Sequence, residues 1–325
     1  MKPIERIELA SIEAARQRIA GLALRTPLIQ LNVEDVEAEI YLKLENLQPI
    51  GSFKLRGAGN AMYLRGPDTL AGGVYTVSAG NMAQGVGWVA ARMGVPFQAV
   101  VPEHAPETKL AAIERLGGRT IKLPFDEWWQ VVLTHECSSA DGEFIHPVSD
   151  VGVIAGNGTI ALEILEDLPD VDAVIIPFGG GGLTSGIGSA LRSLKPDTKI
   201  FACEVETAAP LHRSLAEGAP CEVDYAPSFV DGIGGITVLD EMWPLVSSLV
   251  DDSLVVGLDA VADAVRLLAE RHRVVAEGAG AAPVAAALTG KAGCSKVVCV
   301  VSGGNIDTAK LTKILQGQVP HPTSK

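Results

Sequence analysis

The chain has 325 residues, 47 % of them hydrophobic, enough for a large core divided between two lobes. With 39 acidic against 26 basic residues the formal net charge is −13 and no long basic run occurs, which argues against nucleic acid and anionic membranes as partners. Cys137, Cys203, Cys221, Cys294 and Cys299 are scattered and form no CxxC pair, so a reducing, cytoplasmic setting is expected.

The start Met1-Lys2-Pro3-Ile4-Glu5 is charged and carries no apolar leader. Residues 11–19 have a helical pattern, with Ser11 as its cap and Gly21 as its stop. The Arg25-Thr26-Pro27-Leu28 stretch breaks that pattern, and 39–44 alternates as a strand. Then comes Gly51-Ser52-Phe53-Lys54-Leu55-Arg56-Gly57-Ala58, a single lysine between an aromatic residue and a glycine, opening a helix to about residue 64. Strand and helix then alternate: strands at 74–77, 97–101 and 120–123, helices at 82–93, 107–116 and 126–136.

A second block starts near Ser149. It predicts a helix at 157–166, a strand at 171–176 too short to cross a bilayer, a helix to about 194, and a strand at 199–204. Helices follow at 208–215, 258–271 and 281–288, with an irregular stretch at 216–235. The last strand is 297–301, the last helix 308–315, and the tail from Gly317 is polar and expected to fray.

Three turns carry chemistry. Phe178-Gly179-Gly180-Gly181-Gly182-Leu183-Thr184 follows an apolar strand and opens a helix, so its amides can close around a phosphate. It lacks the GxGxxG spacing of a dinucleotide site and the lysine of a P-loop, and a turn required only for packing is the other reading. Gly182 and Gly186 read as a close helix contact. Ser78-Ala79-Gly80-Asn81-Met82 suits a carboxylate, or serves only to cap the next helix. In Ser302-Gly303-Gly304-Asn305, Ser302 either meets a heteroaromatic nitrogen or caps the final helix. Asp231-Gly232-Ile233 reads first as a plain loop.

Other chemistries are thin. The six histidines contain no HExxH, and His135-Glu136 reads as helix surface. Glu204 and Glu206 share a strand face and could hold a divalent ion, although surface charge is the better reading. Trp128 and Trp129 offer one ring to the core and one to a groove.

Taken together the chain resembles the fold-type II pyridoxal-phosphate enzymes, and most closely their serine/threonine dehydratase and serine racemase branch. The motifs at 51–58, 78–81, 155–159, 179–183, 231–233 and 302–305 occur in that family's order. The resemblance implies a tryptophan-synthase-β-like α/β fold, with two open, twisted, parallel-rich sheets flanked by helices. It implies a large cofactor-binding lobe from 1–48 and 149–325, a small lobe from 49–148, and a homodimer. It implies pyridoxal 5'-phosphate, bound to Lys54 as a Schiff base. Phe53 would stack on its ring, Asn81 meet the ring hydroxyl, and Ser302 the ring nitrogen. Gly179, Gly180, Gly181, Gly182 and Leu183 would hold the phosphate, with Gly232 beside the ring. Ser78, Ala79, Gly80, Asn81 and Met82 would face the substrate, with Ser78, Gly80 and Asn81 gripping its carboxylate. The expected reaction is loss of water from a β-hydroxy-L-amino acid, giving a 2-oxo acid and ammonia.

Three departures bear on the substrate. Ala79 stands where serine racemases carry the serine of the opposite substrate face, and it cannot carry a proton. Met82 replaces a common histidine. With Met62, Trp128 and Trp129 as wall residues it suggests a larger substrate such as 3-phenylserine. Pro210 replaces a metal-binding aspartate, leaving Glu204 alone. Racemisation, or cofactor binding without catalysis, are the alternatives.

Overall fold

A computed structural model describes residues 1–34 and 36–321. The end of the polar tail, 322–325, lies outside the described residues.

Two sheets organise the chain. The larger has six strands in the order β1-β2-β10-β7-β8-β9, formed by β1 (Leu28–Gln30), β2 (Glu39–Leu44), β7 (Ala173–Pro177), β8 (Lys199–Val205), β9 (Asp252–Val256) and β10 (Lys296–Val301). All its pairings are parallel except β1 with β2. The smaller is wholly parallel, in the order β5-β4-β3-β6, from β3 (Val74–Val77), β4 (Phe97–Pro102), β5 (Arg119–Leu123) and β6 (Glu143–Phe144). Helices cover both, which explains the run of buried residues along β7 and β10. The α/β architecture with parallel-rich sheets is the one expected.

Helices α2 (Lys54–Thr69), α6 (Val151–Asp167) and α7 (Gly182–Leu194) pack against one another at the middle of the molecule. Glycines bring them close. A Cβ at Gly156 would lie 2.4 Å from the Arg56 carbonyl oxygen, and one at Gly186 would lie 2.4 Å from that of Ile154. The close contact expected at Gly186 is therefore present.

Local details differ from expectation. Ser11 caps nothing: α1 (Leu9–Arg18) starts earlier, after Glu8. Helix α6 starts six residues before Asn157, where the Asp150 carboxylate accepts from the Val153 N–H. Its glycines look like breakers in sequence, but they are the surfaces on which neighbouring helices rest. The 157–166 stretch is only its second half. Strands β1, β6 and β9 and helix α9 (Trp243–Leu249) lie in stretches where the sequence pattern assigned no element.

Candidate active site

The four turns that matter leave the carboxyl ends of parallel strands: 45–53 after β2, 78–80 after β3, 178–181 after β7 and 302–305 after β10. Ligands of open α/β sheets collect at this edge. Two of the turns are tied together. Phe53 N–H donates to the Ser302 carbonyl at 2.9 Å, Gly304 N–H to that of Gly51 at 2.9 Å, and Asn305 Nδ2 to that of Ile50 at 2.9 Å. Gly51 needs its glycine, with φ 74° and a would-be Cβ 2.6 Å from Asn305 Oδ1. Phe53 and Ser302 are thereby buried side by side.

Lys54 is the first residue of α2. Its Nζ donates to the Pro147 carbonyl at 2.8 Å and lies 5.2 Å from the centre of the Phe53 ring. Burial lowers its amine to about 8, which brings the free base within reach near neutral pH. The helix carrying it is held by a buried ionic cluster. Arg56 donates to Glu45 and Glu163, Lys43 donates to Glu163 at 2.6 Å, and Thr26 Oγ1 donates to Glu45 at 2.6 Å. All five side chains are buried. Burial pushes the Lys43 amine down against the pull of Glu163; burial also opposes ionisation of Glu45, but the Arg56 charge outweighs it and holds that carboxyl low. Nothing in the 39–44 strand pattern marked this cluster, in which Lys43 reaches Glu163 on α6.

The glycine turn is packed on every side. A Cβ at Gly180 would lie 2.5 Å from Val148 Cγ2, one at Gly182 would lie 2.7 Å from the Val148 carbonyl oxygen, and one at Gly181 (φ 93°) would lie 2.9 Å from Val246. Asn157 Nδ2 donates to the Gly182 carbonyl at 3.2 Å. The first N–H groups of α7 have no intrahelical acceptor. Beside them the buried hydroxyls of Thr184 and Ser185 have no partner among the described residues, and neither do Ser52 Oγ and Asn157 Oδ1. Unsatisfied buried donors at a helix amino end are what a phosphate monoester would complete. The residues present therefore fit pyridoxal phosphate: this turn would hold its phosphate and Lys54 would be the lysine to bind it. Leu183 is buried behind the turn, and Gly179 faces the backbone of Gly232 and Ile233.

The 78–81 turn faces this edge from the small lobe. Ser78 Oγ accepts from the Gly80 N–H at 3.1 Å, and Gly80 itself precedes α3 (Asn81–Met93), so neither Ser78 nor Asn81 caps the helix. Asn81 Nδ2 donates to Glu277 at 2.8 Å, and Asn81 Oδ1 accepts from Asn305 Nδ2 at 2.7 Å. Glu277, unmarked in the sequence reading, is buried beside Gly303 and Gly232. Burial, then the charge of Asp231, raises its carboxyl to about 7. Its only sequence signal was a lone acid before the glycine- and alanine-rich run at 278–282. Asp231 pairs with Lys109 at 3.2 Å and Lys310 at 3.3 Å, so the 231–233 loop is tethered from both lobes.

Other expectations are corrected. Ser302 does not cap the last helix; Asp307 does, accepting from the Ala309 N–H at 2.8 Å. Met62 and Met82 are buried in the small-lobe core, so neither presents an open wall. Trp128 donates from Nε1 to the Val100 carbonyl at 3.3 Å, and both tryptophans are half-buried against the core. Glu204 is not surface charge: it is buried, and its carboxylate accepts from the N–H groups of Leu211 and His212 and from Ser253 Oγ. Glu206, which is exposed, accepts from the Leu258 N–H. Both acids are thereby engaged at helix amino ends. His135 is not free helix surface either, since it packs against His146 and Glu241.

A lysine amine and an unsatisfied helix amino end at one sheet edge, faced by a small polar turn from the other sheet, are the arrangement of a pyridoxal-phosphate-dependent enzyme. The chain belongs to the pyridoxal-phosphate dependent enzyme family, whose pattern it matches over residues 19–303. It is 40 % identical over 318 residues to the L-threonine ammonia-lyase of Thermotoga maritima, covering 95 % of this chain and 78 % of that one. To the catabolic L-threonine dehydratase of Escherichia coli it is 36 % identical over 316 residues, covering 95 % and 96 %. The solved structure of maize serine racemase superposes with a TM-score of 0.85 at 33 % identity, covering 96 % and 98 %. The cofactor is pyridoxal 5'-phosphate, and the chain is a lyase of the dehydratase type. No helix among the described residues is long and apolar enough to cross a membrane.

Proposed function

We propose that the chain eliminates water from a β-hydroxy-L-amino acid and releases a 2-oxo acid and ammonia. One observation carries the reading: the buried Lys54 amine, lowered to about 8, donates to the Pro147 carbonyl, and the next residue, Val148, packs against the phosphate-type turn. In this reading Lys54 would hold the cofactor, and its free amine would take the α-proton of the substrate. The cofactor supplies a conjugated sink for the charge left at the α-carbon. Phe53 covers one ring face, Asn81 meets the ring hydroxyl, and Ser302 offers the ring nitrogen a neutral hydrogen bond. The 179–182 glycines and Leu183 hold the phosphate, with Gly232 at the ring edge. Ser78, Gly80 and Asn81 hold the substrate carboxylate, aligning the α-C–H bond with the Lys54 amine. The β-hydroxyl takes up a proton, balancing the one Lys54 removed, and leaves as water; hydrolysis of the resulting enamine consumes one water and frees ammonia.

Relatives named for L-threonine support a small β-hydroxy substrate. The burial of Met62 and Met82 removes two supports for 3-phenylserine, leaving Trp128 and Trp129 as its remaining support. Racemisation needs a proton carrier on the opposite face, and the Ala79 methyl carries none. The test is 2-oxo acid release from L-threonine, L-serine and 3-phenylserine, run in deuterated water with chiral analysis of residual substrate. Release from threonine or serine without the D-enantiomer is expected. No release from any of the three refutes elimination, equal efficiency on all three removes the side-chain preference, and accumulation of D-amino acid favours a racemase.

A further inference from the structure

The segment at 146–149 joins the small lobe, after β6, to the large lobe, before α6, and its Pro147 carbonyl is the acceptor of Lys54 Nζ. One buried side chain organises its backbone. His146 Nδ1 lies 3.1 Å from the Val148 N–H nitrogen and 2.8 Å from that of Ser149, both of which donate to it. Its Nε2 faces the Val132 carbonyl at 3.2 Å. A nitrogen that accepts from amides carries no proton, and one facing a carbonyl carries it, so the network assigns the neutral ring with the proton on Nε2. Burial, then the neighbouring His135, pushes the imidazole down to about 3, in keeping with that form.

The ring is itself held. His135, at the end of α5 (Phe125–Thr134), stacks on it with centroids 4.2 Å apart. His135 has φ 62°, a left-handed backbone that glycine or asparagine usually fills, so its surroundings hold it there. Its Nε2 lies 3.3 Å from Glu241 and 3.3 Å from Ser149 Oγ, which is 2.9 Å from His146 Nδ1. Phe144 meets the His146 ring edge-on. Just beyond, Val148 packs under Gly180 and Gly182. The same short turn thus touches the Lys54 amine with one carbonyl and the phosphate-type turn with the next residue.

We propose that His146 is a positioning residue for the reaction: its buried imidazole fixes the 147–149 turn so that the Pro147 carbonyl receives the Lys54 amine while Val148 seats the glycine turn. The proposal rests on Lys54 as the reacting amine, so its test begins on the cofactor-free protein, where no turnover is needed. A carbonyl acceptor favours the ammonium form, and losing it in a dry site lowers the amine further.

The measurement is the pH midpoint for acylation of Lys54, read by peptide mass spectrometry, in wild type, His146→Gln and His146→Asn. An asparagine carbonyl can accept from the amides two and three residues on, whereas glutamine is one methylene too long to close that ring. The expected result is a lower midpoint in His146→Gln, restored in His146→Asn. On the loaded enzyme, kcat should fall about tenfold in His146→Gln with KM changed less than about twofold. A lower melting temperature with an unchanged Lys54 midpoint and unchanged kcat overturns the proposal, leaving His146 a packing residue. Should His146→Gln not fold, nitrogen NMR of the wild-type ring decides: a proton on Nε2 alone from pH 5 to 9 is expected, and a proton on Nδ1 refutes it. Failure of Lys54 as the reacting amine shows separately, as turnover retained in Lys54→Ala.

Discussion

The two turns that flank Lys54 are built in opposite ways. At three of the four glycines of the glycine turn a Cβ would strike something: Val148 at Gly180 and Gly182, Val246 at Gly181. At Gly80, in the turn facing it from the small lobe, a Cβ would meet nothing within 4 Å. The first turn is defined by its packing, as the proposed seat of the cofactor phosphate would require, and the second is open, as a proposed substrate turn would require.

The largest expected effect is on the amine between them. Lys54→Ala should lower 2-oxo acid release by at least about a thousandfold, with the fold retained by circular dichroism. Next comes the foundation of α2. Glu163→Ala leaves buried Lys43 with only the neutral Thr26 carbonyl and removes one of the two carboxylates of Arg56, and urea denaturation should show a loss of about 3–5 kcal/mol. The comparison of turns is tested directly by a pair of alanines. Gly182→Ala drives a Cβ against the Val148 backbone and should weaken cofactor binding about tenfold, read by equilibrium dialysis. Gly80→Ala should change that affinity less than about twofold and act on the substrate KM instead.

The smallest effect is on pH dependence. Glu277 is raised to about 7 when folded, so the folded chain keeps a proton that the unfolded chain releases near 4.5. Its contribution to stability is complete below about pH 4.5 and is lost as pH rises through about 7. Glu277→Gln should flatten the fall in melting temperature across that window.

Much of the fold was legible because local pattern and tertiary role agreed. Strand β3 and the last helix (Thr308–Leu315) fall where their residues predict, since their apolar faces meet a sheet or core in the ordinary way. Disagreement arose where packing between distant segments reverses a local rule. The glycines of α6 look like stops but serve as contact surfaces for α2 and α7. Lys43 carries no sequence signal of its role but is buried, paired with Glu163 from a distant helix. At the site, residues in dense motifs could be picked out: Lys54, the 179–182 glycines, Ser78 and Asn81. Glu277 and His146 could not, because each acts through backbone or side chains that only the folded chain brings near.

The central claim is that Lys54 bears the cofactor. Borohydride reduction of the loaded protein followed by peptide mass mapping tests it most directly. The expected result is a single pyridoxyl adduct on Lys54, absent in Lys54→Ala. An adduct on another lysine, or none on a protein that has taken up the cofactor, would contradict it.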